Sequence, residues 1–388
     1  MKSDFINELG TLFNQNNSIS DDIYSKLDVK RGLRNKNGTG VLVGLTKIGS
    51  VLGYSVNKKG KKIPEKGKLY YRGISIDKLV EQFEEEKTFC FEKTMFLLLF
   101  GKVPSNFELK MFVSTLKEYR HLPDEFIEDF ILRKPSTDIM NHLQRAVLCL
   151  YTLDKNPDDV SLSNLIDQSL NLIAKFPSLL VYCYQACNYK HFKKSLIIHN
   201  PMEEYSIAEN ILHMLRSDSK FTKLESEILD LILVIHAEHG GGNNSTFTSH
   251  VISSTRTDTY SSISASIGSL KGPMHGGANS MVTKMIEDMK KNSNPYDEIK
   301  LKEYLKKIFE KKAFDKTGRI YGMGHAVYTV SDPRAEILKK KAYELAKEKD
   351  ALEEFELFSN VEKFTKEIGK ELKGKDFEIC ANVDLYSG

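Results

Sequence analysis

FEKTMFLLLFGKVP, residues 91–104, decides the fold class. Its apolar run is continuous rather than alternating, and Gly101 and Pro104 stop it, which reads as a buried helix. Working outward, FELKMFVSTLKEYRHLP (107–123) is an amphipathic helix, again closed by a proline. The 3.6-residue period continues in TDIMNHLQRAVLCLYTLD, SLSNLIDQSLNLIAKFPSLLVYCYQACNY, YSIAENILHMLRS and KLESEILDLILVIHAEHG. Beyond residue 275 it resumes in ANSMVTKMIEDMKK, EIKLKEYLKKIFEKK, DPRAEILKKKAYELAKEK and FTKEIGKELKGK. Strand signals occur only in TGVLVGL, SVLGYSV and KLYYRG, with GKK and EKGK as turns. The expectation is an all-α protein with a minor β element before residue 72.

The chain has 388 residues, enough for two or more domains. With 56 basic and 53 acidic residues the formal charge is +3, which calls for no nucleic-acid partner. The runs MFLLLF and LILVI are too short to span a bilayer, and MKSDFINELG has no apolar core of a signal peptide. Five cysteines scattered along the chain point to a reducing cytoplasm. Cys183 and Cys187 share an apolar helix face, as buried free thiols do. Residues 220–280 are rich in His, Gly, Ser, Thr and Asn, whereas 281–375 are rich in Lys and Glu. That shift reads as a smaller domain beside a larger helical one.

Three segments carry residue types that helix packing does not ask for. In HAEHGGGNNSTFTSH (236–250), three glycines follow His239 and lead to a helix capped by Asn243, Asn244 or Ser245. That arrangement presents His239 and bare N–H groups to an anion. Zinc on His236, His239 and His250 is a weaker reading, since no CxxC supplies further ligands. In SLKGPMHGGANSMV (269–282), His275 stands before Gly276 and a new helix. A helix's positive end keeps such an imidazole neutral, able to donate to a developing oxyanion, although a buried structural histidine fits as well. In GRIYGMGHAVYTVSDPRAE (318–336), Gly322 and Gly324 lead into His325, and Arg334 opens a helix. A guanidinium beside a histidine suits a carboxylate-bearing substrate; an ordinary exposed arginine is the alternative.

Together these stretches resemble one family. KGPMHGGAN, GMGHAVYTVSDPR and NVDLYSG (382–388) are similar to the three catalytic blocks of citrate synthases, in order. HAEHGGGNNSTF resembles the oxaloacetate-binding segment, and GKLYYRGISIDKLV with FEKTMFLLLFGKVP resembles the N-terminal region. The resemblance runs from about residue 67 to 388; residues 1–40 carry no recognisable feature of it.

The resemblance implies a two-domain helical fold, with a large domain of residues 1–276 rejoined by 380–388 and a mobile small domain of 277–379. It implies condensation of acetyl-CoA with oxaloacetate and hydrolysis of the citryl thioester. Asp384 would be the base, His275 the donor to the thioester carbonyl, and His325 the donor to the ketone of oxaloacetate. His239, Arg334 and Asn243 would bind oxaloacetate; Ile320, Tyr321, Gly322, Met323 and Gly324 would lie along CoA. No metal or cofactor is expected, since acetyl-CoA is a substrate, and the partner implied is a second copy of the chain in a homodimer. The resemblance also implies some tens of residues past the NVD block, so a C-terminally shortened form with weak or absent turnover is expected. The alternatives are a 2-methylcitrate synthase using propionyl-CoA and a non-catalytic oxaloacetate-binding remnant.

Overall fold

A computed structural model describes residues 11, 15, 20–27, 40, 41, 43, 45–58, 62–86 and 90–387. The chain divides into two compact units, Met1–Leu45 and Thr46–Gly388. The described part of the first contains a short helix, Asp21–Lys26. The second unit opens with a three-stranded antiparallel sheet in the order β1 (Gly49–Val56), β2 (Lys62–Tyr71), β3 (Ile74–Ser75). Of the expected strand signals, SVLGYSV is β1 and KLYYRG closes β2. Of TGVLVGL (39–45), Thr39, Leu42 and Gly44 lie outside the described residues and the other four belong to none of the three strands; Gly60 and Lys61 of the expected GKK turn also lie outside the described residues. EKGK (65–68) is not a turn but lies within β2, where Lys68 pairs with Leu52 and the register against β1 shifts before Pro64 meets Tyr54. Its glycine answers to close packing against another segment rather than to chain reversal.

Among the described residues, helices then follow without interruption by further strands. They are α1 (Ile76–Glu86), α2 (Cys90–Phe100), α3 (Asn106–Tyr119), α4 (Ile139–Cys149), α5 (Leu162–Phe192), α6 (Ile207–Leu215) and α7 (Lys223–His236). After them come α8 (Asn244–Ser253), α9 (Thr259–Leu270), α10 (Ala278–Asn292), α11 (Glu298–Phe309), α12 (Pro333–Glu348) and α13 (Leu352–Lys373), with a last turn at Asp384–Ser387. The stretch 91–104 is α2 as expected: Gly101 adopts φ 81° and its N–H closes on the Leu97 carbonyl at 2.8 Å. Local chemistry sets other starts too. Ser105, Ser206 and Thr222 each form a reciprocal cap with a glutamate three residues on. Among the described residues no helix is long and apolar enough to cross a membrane.

The buried apolar side chains sort into clusters. One joins α4, α5, α6 and α9 through Val147, Leu179, Met214 and Ile267. A second draws only on residues after 281, including Met285, Leu305, Phe364, Met323 and Leu385. A third holds Leu69 and Tyr71 of β2, Val234 and Ile235 of α7, Leu338 of α12 and Val383 together. This third cluster underlies the site, because His236, Arg334 and Asp384 all issue from its edges. Phe364 is fully buried in the second cluster, with the Lys302 ammonium 4.2 Å above its ring. Phe364→Ala is expected to cost about 3–5 kcal/mol in urea unfolding. Phe107→Ala, at a site 73% exposed, should stay within about 0.5 kcal/mol.

Candidate active site

Four chain segments meet at the site, each placed by its own backbone. α7 ends at His236, and the buried Tyr71 closes it: the phenol donates to the Val234 carbonyl (2.9 Å) and accepts the Glu238 N–H (3.3 Å). Gly240 then turns the chain at φ 79°, delivering His239 beside the sheet. Asn243 caps α8, its Oδ1 taking the Thr246 N–H (2.9 Å) and its Nδ2 donating to the Gly240 carbonyl (3.1 Å). Both ends of that amide therefore hold the loop that carries His239.

His275 follows α9, where a Cβ on Gly276 would collide with the Leu270 carbonyl oxygen. Its Nε2 lies 3.3 Å from the Ser245 N–H, at the head of α8, and 2.9 Å from the Ser245 hydroxyl. An N–H can only donate, so Nε2 carries a lone pair and Nδ1 carries the proton. Burial and the helix's positive end both oppose a second proton, and the His275 pKa is lowered by desolvation.

His325 is fixed in the same way. Its Nδ1 accepts the Val327 and Tyr328 N–H groups, each at 3.1 Å, so the proton sits on Nε2. Its ring stacks on Tyr328 at 4.6 Å and meets His239 edge-on at 4.9 Å. Desolvation, reinforced by Arg334 against an opposing pull from Asp332, holds the His325 pKa down to about 4. His239, also desolvated and near Arg334 and His325, is lowered to about 3. Its Nε2 is buried with no hydrogen-bond partner among the described residues, which marks a polar atom left for a ligand.

Arg334 is buried in the first turn of α12. Asp332 caps that helix and grips the guanidinium through Nε (3.1 Å) and Nη2 (2.7 Å). The pair leaves Nη1 unengaged. Asp384 opens the last turn, with a pKa raised by burial and restrained by His236 and Arg334. Asn382 positions it: Oδ1 accepts the Asp384 N–H (3.0 Å), and Nδ2 donates to the Gly324 carbonyl (2.8 Å). Further bonds run from Asn382 N–H to Gly322 (2.9 Å) and from Gly324 N–H to Cys380 (2.7 Å). Gly322 and Gly324 take φ of 82° and 88°, and a Cβ on Gly322 would press on Leu385 at 2.9 Å.

A cavity of about 360 Å³ opens at His275 and is walled by Ile320, Tyr321, Gly322, Met323 and Asn382, with Arg319 and Lys373 among its lining. A larger one, about 720 Å³, lies among Val80, Cys90, Asp230 and Lys341 and contains none of the expected site residues. His250, the third histidine of the zinc reading, lies along α8. The described residues contain no cluster of three or more His, Cys, Asp or Glu that would hold a metal ion. Sequence reading did not single out Asn382, Asp332 or Tyr71, and it saw Ser245 only as a possible cap. The signal for Asn382 was present: an Asn two residues before Asp384 favours a local side-chain turn. Tyr71 gave none, because its partners are 163 and 167 positions away.

The family profile "Citrate synthase, C-terminal domain" matches residues 37–388. A citrate synthase of Haloferax volcanii is 31% identical over 367 residues, covering 93% of this chain and 83% of that protein. A 2-methylcitrate synthase of Corynebacterium glutamicum is 34% identical over 291 residues, covering 74% and 70%. Among solved structures, citrate synthase from Pyrobaculum aerophilum superposes with a TM-score of 0.68 at 27% identity, covering 93% of this chain and 84% of that one.

Depressed imidazole pKa values fix the sign of a pH effect. An unfolded histidine takes a proton near pH 6.5, while His325 and His239 in the fold resist it. Their contribution to stability is therefore complete above about pH 6.5 and fades as pH falls toward about 4 for His325 and about 3 for His239. The fall in melting temperature between pH 7 and pH 5 is expected to be smaller in His239→Gln than in the unaltered chain. Ring-nitrogen NMR should show His325 as the Nε2–H form throughout that interval.

Proposed function

This chain belongs to the citrate synthase family and is a condensing transferase, and from that premise we propose that it joins acetyl-CoA to oxaloacetate and hydrolyses the citryl thioester. The observation that carries the reading is one centre: Arg334, with His239, His325 and Asp384 around it, each feeling its charge. Oxaloacetate, a dianion with a ketone, sits against the free Nη1 of Arg334 and the unpartnered Nε2 of His239. The ketone oxygen takes its hydrogen bond from Nε2–H of His325. Asn243 acts through the loop it caps.

The thioester lies in the cavity beside His275, with CoA along 320–324. Asp384 removes a proton from the methyl carbon while Nδ1–H of His275 binds the thioester oxygen, so the enolate charge is met as it develops. The new carbanion attacks the ketone carbon, and His325 supplies the proton to its oxygen. Water then cleaves the C–S bond, leaving citrate and the CoA thiol. Burial serves each role, because it raises the basicity of Asp384 and keeps the imidazoles neutral. Residues 277–379, whose apolar cluster also takes in Ala381 and Leu385, are the body proposed to close over oxaloacetate and exclude water. The same reading has the protein work as a homodimer in the cytoplasm, without metal or prosthetic group.

A second acyl donor is favoured by a specific finding, the 34% identity to a 2-methylcitrate synthase. One methylene in an apolar pocket is worth only about 1–3 kcal/mol, so propionyl-CoA would use the same residues. Thiol release should require oxaloacetate and be faster with acetyl-CoA than with propionyl-CoA; the reverse order would assign the chain to 2-methylcitrate synthesis. Asp384→Asn is expected to reduce release by on the order of 10²–10⁴-fold while oxaloacetate still raises the melting temperature. Release that needs no oxaloacetate would overturn the condensation.

A further inference from the structure

Two glycines of the small sheet, Gly53 and Gly67, are not explained by backbone conformation. Neither has a positive φ, so any L-residue could adopt their dihedral angles. What forbids a side chain is space. A Cβ on Gly53 would stand 2.5 Å from the Val327 carbonyl oxygen and 3.2 Å from the Tyr328 Cα. On Gly67 it would collide with the Ser331 carbonyl oxygen and lie 2.7 Å from the Tyr328 ring. The contacted atoms are mainly backbone, which cannot swing aside. Both glycines lie against the segment 327–331, between His325 and Asp332. Two bonds seal the contact: Gly67 N–H to the Ser331 hydroxyl (3.3 Å) and the Tyr328 phenol to the Lys68 carbonyl (3.4 Å). Gly53 also lies where the register of β1 against β2 shifts, between Leu52 and Tyr54, a device that bends a strand toward a site.

The opposite histidine meets the same strands. Val51 lies where a Cβ on Gly240 would approach to 3.3 Å, and Tyr71 of β2 holds the Glu238 N–H. The sheet thus touches the segment bearing His239 and the segment bearing His325. The amides of Val327 and Tyr328, which fix the His325 tautomer, are in the stretch it presses on.

We propose that the β1–β2 hairpin is a positioning element that sets His325 against His239, with Gly53 and Gly67 as the two points of backbone contact that define the spacing. The consequence for oxaloacetate rests on the condensation reading; the positioning itself does not. The hairpin touches no reacting atom and acts only through the segment 327–331.

The test compares Gly53→Ala with Gly49→Ala, a methyl added to the same strand whose nearest neighbours are atoms of the flexible Glu238 side chain rather than backbone. Hydrogen exchange at the Val327 and Tyr328 amides should accelerate about tenfold or more in Gly53→Ala, beyond any general acceleration at the α5 amides, and stay within about twofold in Gly49→Ala. With oxaloacetate and acetyl-CoA, Gly53→Ala should lower kcat about 10²-fold and raise the KM for oxaloacetate, leaving the KM for acetyl-CoA unmoved. Unchanged exchange at both amides would overturn the proposal whatever the activity. If Gly53→Ala does not fold, Ser331→Ala decides in its place, since it adds no atoms and removes the bond to Gly67. Faster Tyr328 exchange in it supports the positioning, and unaltered exchange refutes it. Loss of oxaloacetate-dependent release in the unaltered chain would end the condensation reading and leave the exchange comparison to decide the role of the hairpin.

Discussion

Everything at the site depends on keeping one positive charge inside the protein. Arg334 is 6% exposed, and Asp332, 1% exposed, is what makes that tolerable. A lone guanidinium there would carry a desolvation cost of several kcal/mol, and the bidentate carboxylate offsets much of it. Once in place, the charge works on its neighbours. It opposes protonation of His239 and His325 and stabilises the ionised form of Asp384 against burial. Arg334 thus acts with burial at the two imidazoles and against it at Asp384, while Asp332 opposes it at all three, so the neutral imidazoles rest first on desolvation. The same pair engages Nε and Nη2 only, and the proposed substrate carboxylate would take the remaining nitrogen of the fork.

A field alone does not place hydrogen atoms. That is done by backbone N–H groups, which can only donate and so leave no freedom in the tautomer. Ser245 fixes His275, and Val327 with Tyr328 fix His325. Asn382 does the equivalent for the carboxylate, joining the backbone at Asp384 to the loop before His325. The last turn is further anchored by Tyr386, whose phenol donates to Glu362 at 2.6 Å, and by Asn279, which reaches Ser387 at 3.0 Å. The proposed base thus rides on a short turn tied to α10 and α13 rather than on a free tail.

How much of this was legible in the sequence follows from the range of each interaction. Helices such as α2 could be read because their period and stops are local, with Gly101 directly after the last turn. The histidines could be singled out because glycines and prolines crowd around them in sequence. Asn243 was legible as a residue of the site, but its amide is spent on Gly240 and Thr246, which only coordinates reveal. The pairing of Arg334 with Asp332 lay two residues apart and was overlooked, since DPR reads first as a helix start. Contacts at long range were out of reach. Gly67 meets Ser331 across 264 positions, and nothing within EKGK distinguishes a glycine that makes room from one that turns the chain.

The choice between acyl donors has a different physical origin from the chemistry. On the proposed mechanism the same groups would act on either donor, although the carbon deprotonated is a methyl in an acetyl thioester and a methylene in a propionyl thioester. Discrimination must then come from the walls around the extra methylene. Beside His275 those walls include Ile320, Met323 and Ile379, with Met274 largely exposed at 85%. Methionine side chains adapt their shape at low cost, so such walls yield before they exclude. On the proposed placement of the thioester, a wall of this kind separates the two donors by a modest energy, and the condensation chemistry itself does not choose between them.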